Sequence, residues 1–210
     1  QAGREFVDVL HDLLSPRVGL VWKPVPEASI YGSYSVAYLP RSGEQLSSLS
    51  VSNAALDPEK YANTEIGAKW QLTPEFNLSA AIYQLDRANV AVVDPADPTR
   101  LVLLPGDSQR VRGVELGIAG DIGERWHVMG GYAWQQGEII RDIRTSPTAV
   151  LSRGTELAQV PRHSFSLWNR VDIGERWGAG LGLVARSRVY ASTSNAVTLP
   201  GYVRADAAVF

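Results

Sequence analysis

Polar and apolar residues alternate with a period of two along most of this 210-residue chain. The segment before Thr73 places Ala62, Thr64, Ile66, Ala68, Trp70 and Leu72 on one side, and Asn63, Glu65, Gly67, Lys69 and Gln71 on the other. The segment before Gly123 sets Val114, Leu116, Ile118, Gly120 and Ile122 against Gly113, Glu115, Gly117, Ala119 and Asp121. Successive side chains of a strand point to opposite faces, so this rhythm predicts strands with one apolar face. No stretch of helical periodicity carries both a start and a stop signal. Strands are expected near residues 17–24, 28–40, 60–72, 76–93, 108–122, 126–141, 162–173, 177–191 and 201–210. The rhythm blurs at Tyr83 to Arg87 and in Phe165 to Ile173, where Asn169 falls among the apolar positions. A bulge and a change of depth both fit.

The connections also alternate. Short turns centre near residues 25, 74, 124 and 175, and long polar segments cover 41–58, 94–107, 142–161 and 192–200. A sandwich mixes long and short loops at both ends, whereas an outer-membrane barrel keeps tight turns on one side and long loops on the other. Short turns recur about every 50 residues, and the hexapeptide Asp121 to Trp126 repeats as Asp172 to Trp177. Propeller blades recur at a similar period but pack four short strands into it, where each period here holds two long ones. Trp22, Trp70, Trp126 and Trp177 stand beside the four short turns, each on the apolar register of its strand. Indoles collect where hydrocarbon meets headgroups, and these four are expected to form such a membrane-interface belt. An antiparallel sheet laid on a soluble core would alternate in the same way. Against it stand the many alanines and glycines on the apolar face and the placing of aromatics at strand ends. The expected fold is all-β, an antiparallel transmembrane barrel of which residues 1–210 supply about nine strands.

Composition narrows the function classes. No window reaches the roughly 18–20 uninterrupted apolar residues of a spanning helix. A net charge of -2 with dispersed basic residues favours no nucleic acid. The absence of cysteine removes disulfides, thiol nucleophiles and thiolate metal sites. The chain starts at Gln1, and Met129 is its single methionine, so it is expected to be an internal piece of a longer protein.

Candidate chemistry is sparse. Gly178, Gly180 and Gly182 lack the Gly-x-Gly-x-x-Gly spacing and a following helix, and are expected to make room on the polar face or to permit curvature. His11, His127 and His163 are too dispersed for a metal motif. Glu65, Glu115, Asp121, Asp172 and Asp206 alternate with Lys69, Arg170, Arg186 and Arg204, as a hydrated wall would. Asn77-Leu78-Ser79 matches a glycosylation acceptor that carries no meaning in a bacterial outer membrane. No catalytic constellation is present, no resident metal or cofactor is expected, and the chain is expected not to be an enzyme.

Several segments in order resemble the C-terminal half of the barrel of TonB-dependent siderophore receptors. They are Ser15 to Pro24, Leu56 to Tyr61 leading into Glu65 to Trp70, Arg112 to Leu116, Val160 to Trp168, and Leu199 to Asp206. The resemblance covers all but residues 1–14. It implies a 22-stranded outer-membrane barrel filled by a plug domain. It also implies import of ferric siderophores, with the iron inside the ligand and the energy delivered through the TonB complex. The plug and the TonB box are not in this sequence, and Phe210 lies within the strand that usually precedes the last two. The implied partners are the siderophore, the TonB complex, the protein's own plug domain and outer-membrane lipid, with a monomeric receptor and no nucleic acid.

Arginine beside tyrosine or tryptophan suits anionic or aromatic chelators through charge and stacking. Arg41, Tyr61, Gln135, Arg188 and Tyr190 are the ligand-binding candidates; the other loop arginines, Arg100, Arg110, Arg141, Arg144, Arg153 and Arg162, are expected to be mainly solvated. The alternatives are a passive porin or structural outer-membrane barrel, and a soluble β-sheet adhesin or binding module.

Overall fold

Nine antiparallel strands hydrogen-bond edge to edge in one sheet of a computed structural model that describes residues 12–39, 57–94, 97–144 and 150–210. In chain order they are β1 (Arg17–Val25), β2 (Ala28–Leu39), β3 (Glu59–Thr73), β4 (Phe76–Asp94), β5 (Asp97–Ile122) and β6 (Trp126–Ile139), then β9 (His163–Ile173), β10 (Trp177–Arg186) and β13 (Tyr202–Val209). Two side ribbons pair β7 (Ile143–Arg144) with β8 (Val150–Leu151), and β11 (Val189–Tyr190) with β12 (Thr198–Leu199). In the main sheet each strand pairs antiparallel with the next main-sheet strand along the chain, β1–β2, β3–β4, β5–β6 and β9–β10 through tight turns and β2–β3, β6–β9 and β10–β13 across longer segments. Gly123 and Gly174 occupy the same place in the repeated hexapeptide and both have φ +68°, a backbone state open to glycine at little cost.

The expected alternation is borne out. The apolar face carries Ile66, Ile82, Leu116, Leu181 and Val203, which are 55%, 55%, 49%, 51% and 75% exposed. Large aliphatic side chains left open to this degree across a whole sheet demand an apolar surrounding. The Tyr83 to Arg87 ambiguity resolves as a change of depth. The β4–β5 register runs without a shift from Phe76↔Gly120 to Arg87↔Gln109, so Gln84 and Asp86 keep the apolar face's direction above its apolar stretch. Asn169 has a local reason: its Oδ1 accepts the Trp126 indole N–H at 3.1 Å.

Two expectations are corrected. Of the segment 94–107, Asp94 and residues 97–107 are strand instead of loop, because β4 and β5 continue pairing through Val90↔Leu104 to Asp94↔Asp97. Val90–Val93 pairs with Leu101–Leu104 there, and a bulge at Ala88/Val90 precedes this stretch. At the bulge Asn89 has φ +56° and its Oδ1 accepts the Gly106 N–H at 3.0 Å, so the extra residue is absorbed and pairing resumes. The expected strand 177–191 breaks after Arg186, and Val189–Tyr190 turns away to pair with Thr198–Leu199.

On the polar face, glycines seat aromatic rings from neighbouring strands. A methyl group on Gly67 would lie 2.5 Å from the Tyr31 ring, one on Gly113 2.6 Å from Tyr83, and one on Gly182 2.6 Å from Trp168. Gly180 makes room for the same indole. The small residues of β10 are thus matched to Trp168. Tyr83 reaches across β5 to donate its hydroxyl to Gln135 Oε1 of β6 at 2.9 Å. Three strands are tied by one ring. Gly113→Ala is expected to destabilise the protein folded into lipid vesicles by about 1–3 kcal/mol through overpacking. Tyr83→Phe keeps the ring and should cost about 1 kcal/mol for the hydrogen bond. Chemical unfolding measures both, and a Gly113→Ala variant as stable as the parent would remove the proposed ring seat.

Candidate functional site at the polar-face rim

Among the described residues, most buried apolar side chains gather at the end of the sheet opposite the four tryptophans, Val128 being an exception. Val90, Leu104, Ile139, Ile143, Leu151 and Leu157 form one cluster, with Val111 and Val160 packed against it. Leu157 enters because the segment after β8 pairs with the upper end of β6: its N–H donates to the Gly137 carbonyl at 2.9 Å, and the Ile139 N–H to the Thr155 carbonyl at 2.9 Å. Gly137 leaves the space that Leu157 fills. This cluster is a rigid platform on an otherwise thin sheet.

Beside it lies a cavity of about 340 Å³ lined by Tyr61, Arg87, Gln109, Leu157, Val160 and Thr193, among others. Tyr61, Arg87 and Gln109 sit opposite one another on β3, β4 and β5. The Arg87 guanidinium lies 5.2 Å from the Tyr61 ring centroid. It donates through Nη1 to Gln109 Oε1 at 3.0 Å and through Nε to Glu59 Oε1 at 3.0 Å. Its Nη2 is also hydrogen-bonded to Glu59. Glu59 is buried, so the arginine's charge is matched and its plane is fixed against the phenol. The result is a preset aromatic face between apolar walls, suited to a flat or partly apolar ligand.

Of the expected ligand residues, Tyr61 alone lines this cavity. Gln135 is lower on the polar face, with its amide oxygen occupied by Tyr83. Arg188 and Tyr190 form a pair of their own, the guanidinium 5.1 Å from the ring centroid. The Tyr190 hydroxyl beside it, and Glu156 more weakly, push the Arg188 pKa further up. Their hairpin approaches the platform, since the Gln159 N–H donates to the Tyr190 carbonyl and Asn195 is hydrogen-bonded to Glu156. Arg41 lies outside the described residues. Arg87, Gln109 and Glu59 were missed. Counting outward equally from the Pro74 turn pairs Tyr61 with Arg87, so the sequence held the signal, hidden by the blurred alternation there.

At the opposite end of the polar face His127 bridges two strands. Its Nδ1 is 2.6 Å from Asp121 Oδ1 and its Nε2 3.1 Å from Asp172 Oδ2. Arg170 donates to Asp172 at 3.0 Å. The two aspartates open the two copies of the hexapeptide, so the repeat is stapled to itself. Among the described residues no group of three or more His, Cys, Asp or Glu side chains could hold a metal ion.

The four tryptophans lie at the turn end of the apolar face: Trp22 on β1, Trp70 on β3, Trp126 on β6 and Trp177 on β10. They are 61%, 52%, 42% and 65% exposed. Residues 3–210 match the family described as TonB dependent receptor-like, beta-barrel. The chain belongs to that family. It is 33% identical over 209 residues to the probable TonB-dependent receptor BfrD of Bordetella pertussis, covering 93% of this chain and 27% of that protein. It is 30% identical over 207 residues to the probable TonB-dependent siderophore receptor PiuA of Acinetobacter baumannii, again 93% of this chain and 27% of the relative. The chain therefore spans about a quarter of these relatives' length. Among solved structures it superposes on the siderophore receptor PiuA with a TM-score of 0.78 at 28% identity, covering 93% of this chain and 29% of that one. The ferric-catecholate import receptor Fiu of E. coli gives 0.73 at 26% identity, with 93% and 28% covered. TonB-dependent receptors of this kind reside in the bacterial outer membrane, and the sheet is a section of their transmembrane barrel.

Removing Arg87 should expose its structural share. Arg87→Ala leaves the Glu59 carboxylate buried without its cation and is expected to cost about 1–3 kcal/mol. The double variant with Glu59→Gln should recover part of that loss. Vesicle unfolding of the two variants checks it, and equal losses would mean that the pair is not coupled.

Proposed function

We propose that this chain is part of the wall of an outer-membrane receptor and active transporter for ferric siderophores, driven through the TonB complex. The observation that carries the reading is the superposition on PiuA along 93% of the chain. Iron travels inside the ligand, so no resident cofactor is needed. The polar face lines the lumen, facing a plug domain, and the apolar face meets hydrocarbon. The four tryptophans form the belt on the turn side. The Tyr61–Arg87 cavity lies at the opposite, outward rim, where a ligand first enters; its fixed aromatic face offers stacking to a chelator, and Arg188 with Tyr190 offers a second. Arg41 and Gln135 are further ligand candidates, the latter through its amide N–H groups once a plug is in place.

Deleting the inner-membrane energy supply separates this reading from a passive pore. Cells that rely on the full-length receptor should accumulate ferric siderophore when TonB is present and lose uptake, with surface binding retained, when it is deleted. Uptake unchanged without TonB would favour the porin. Tyr61→Ala is expected to weaken siderophore binding about tenfold, the loss of one well-packed aromatic contact. Equilibrium binding of labelled ferric siderophore to whole cells reads this, and unchanged affinity would remove Tyr61 from the site.

The face assignment has its own test. Ile118→Arg should cost the full-length receptor roughly 2–4 kcal/mol near the bilayer midplane, whereas Ala119→Arg on the adjacent lumen position should cost less. Folding into lipid vesicles over a denaturant series distinguishes them, and the reverse order would exchange the two faces.

A further inference from the structure

The hydrocarbon-facing register does not end where its apolar residues end. Along β5 it runs Ile122, Gly120, Ile118, Leu116, Val114, and then Arg112 and Arg110. The same step occurs on the neighbours. Thr64, Gln84, Arg112 and Gln136 stand directly opposite one another on β3, β4, β5 and β6, one pair above the row Ile66, Ile82, Val114 and Trp134. The next row is Ala62, Asp86, Arg110 and Glu138. Neither row is displaced by a bulge, so these polar side chains leave the sheet in the same direction as the lipid-facing ones.

From Ile122 to Val114 the strand climbs about 27 Å at roughly 3.4 Å per residue. Tilted by about 40°, that spans roughly 21 Å of depth, close to the apolar band of a membrane barrel. Arg112, the next residue on this face of β5, therefore stands at the headgroup level of the outer leaflet, and Gln84 and Gln136 on the adjoining strands lie within about 3 Å of that depth. Trp134, Tyr34 and Phe165, 38%, 42% and 37% exposed, share this border as its aromatic edge.

Charge at this level is unevenly engaged. Arg110 Nε donates to Asp86 Oδ1 at 2.6 Å, and Gln84 holds the other oxygen of that carboxylate at 2.7 Å. Arg112 stands apart: its nearest carboxylate oxygen among the described residues is on Glu138 at 3.9 Å, and its side chain is 55% exposed. Gln136, directly beside it, is exposed as well. An arginine fork loosely held, with the exposed amide of Gln136 directly beside it, and standing at headgroup depth, matches a phosphate group in charge and geometry.

We propose that Arg112, with Gln136 beside it, binds a phosphate of an outer-leaflet glycolipid against the outside of the barrel. The proposal rests on the reading that the apolar face meets hydrocarbon. Arg112 supplies two N–H donors to the phosphate oxygens, and the Asp86–Arg110 pair above it holds the strand edges in place. The bound lipid would seal the bilayer to a barrel wall that is polar at this height.

The test uses the full-length receptor in detergent micelles, titrated with diphosphoryl lipid A and with the same lipid dephosphorylated, and followed by native mass spectrometry. The parent protein should prefer the phosphorylated form about tenfold, as expected for one charge-assisted contact. Arg112→Gln should abolish that preference, Arg112→Lys should retain part of it, and Arg204→Gln on the lumen face should leave it intact. Heat-modifiable gel migration confirms folding; if Arg112→Gln does not fold, Gln136→Leu takes its place, with a several-fold loss expected. Equal preference in parent and variant, or none in the parent, overturns the proposal. So does a change in oligomeric state with lipid preference unchanged, which would assign the row to a second copy. The Ile118→Arg measurement above is read in parallel, so that an exchanged face is told apart from a missing phosphate site.

Discussion

Backbone hydrogen bonding in a medium without water is the constraint on which this structure depends. In hydrocarbon an unpaired N–H or C=O costs several kcal/mol, so each strand must pair along its whole length with a neighbour on either side. The continuous ladders between β1 and β13 answer that requirement through the apolar stretch, with register shifts confined to the two ends of the strands. Pairing of this length fixes the two-residue rhythm of side chains, and the rhythm creates two chemically opposite faces. Burial plays little part in the middle of the sheet, where large aliphatic residues remain exposed on one side.

With so little buried mass, local rigidity comes from other devices. Rings lying over glycines on the polar face fill the troughs that a missing Cβ leaves, and Tyr83 links strands that do not touch through their backbones. His127 performs a similar service near the tight turns, joining Asp121 to Asp172. At the far end the long β4–β5 hairpin, the upper end of β6 and the segment around Leu157 rise clear of the apolar band and bury a small core of their own. The sheet thus passes from a membrane wall to a water-soluble platform along single continuous strands.

That platform positions the features from which function is proposed. Tyr61 is held by an arginine whose charge is already balanced, a stiff arrangement that presents an aromatic surface without a mobile cation. Rigid anchors lose little entropy on binding. On the outside of the same strands, Thr64, Gln84, Arg112 and Gln136 replace the apolar row, and the wall changes from apolar to polar. One change of height along the strand therefore governs both the inward and the outward chemistry.

Much of the fold was legible because period-two alternation, turn placement and the repeated hexapeptide are all local properties, and pairing of sequential strands follows from tight turns. The sequence determined the nine strands, their faces and the turn-side tryptophans. It did not determine the continuation of β4 to Asp94 and of β5 from Asp97, because pairing there resumes only after a bulge at Asn89 whose position depends on a hydrogen bond to Gly106. Nor did it show that Asn169 answers Trp126 across two strands, or that Arg87 locks Tyr61, since cross-strand partners are set by register and by the ring and guanidinium orientations that packing selects. Alternation decides which side a residue faces. Which residue it meets there was decided only when the strands aligned.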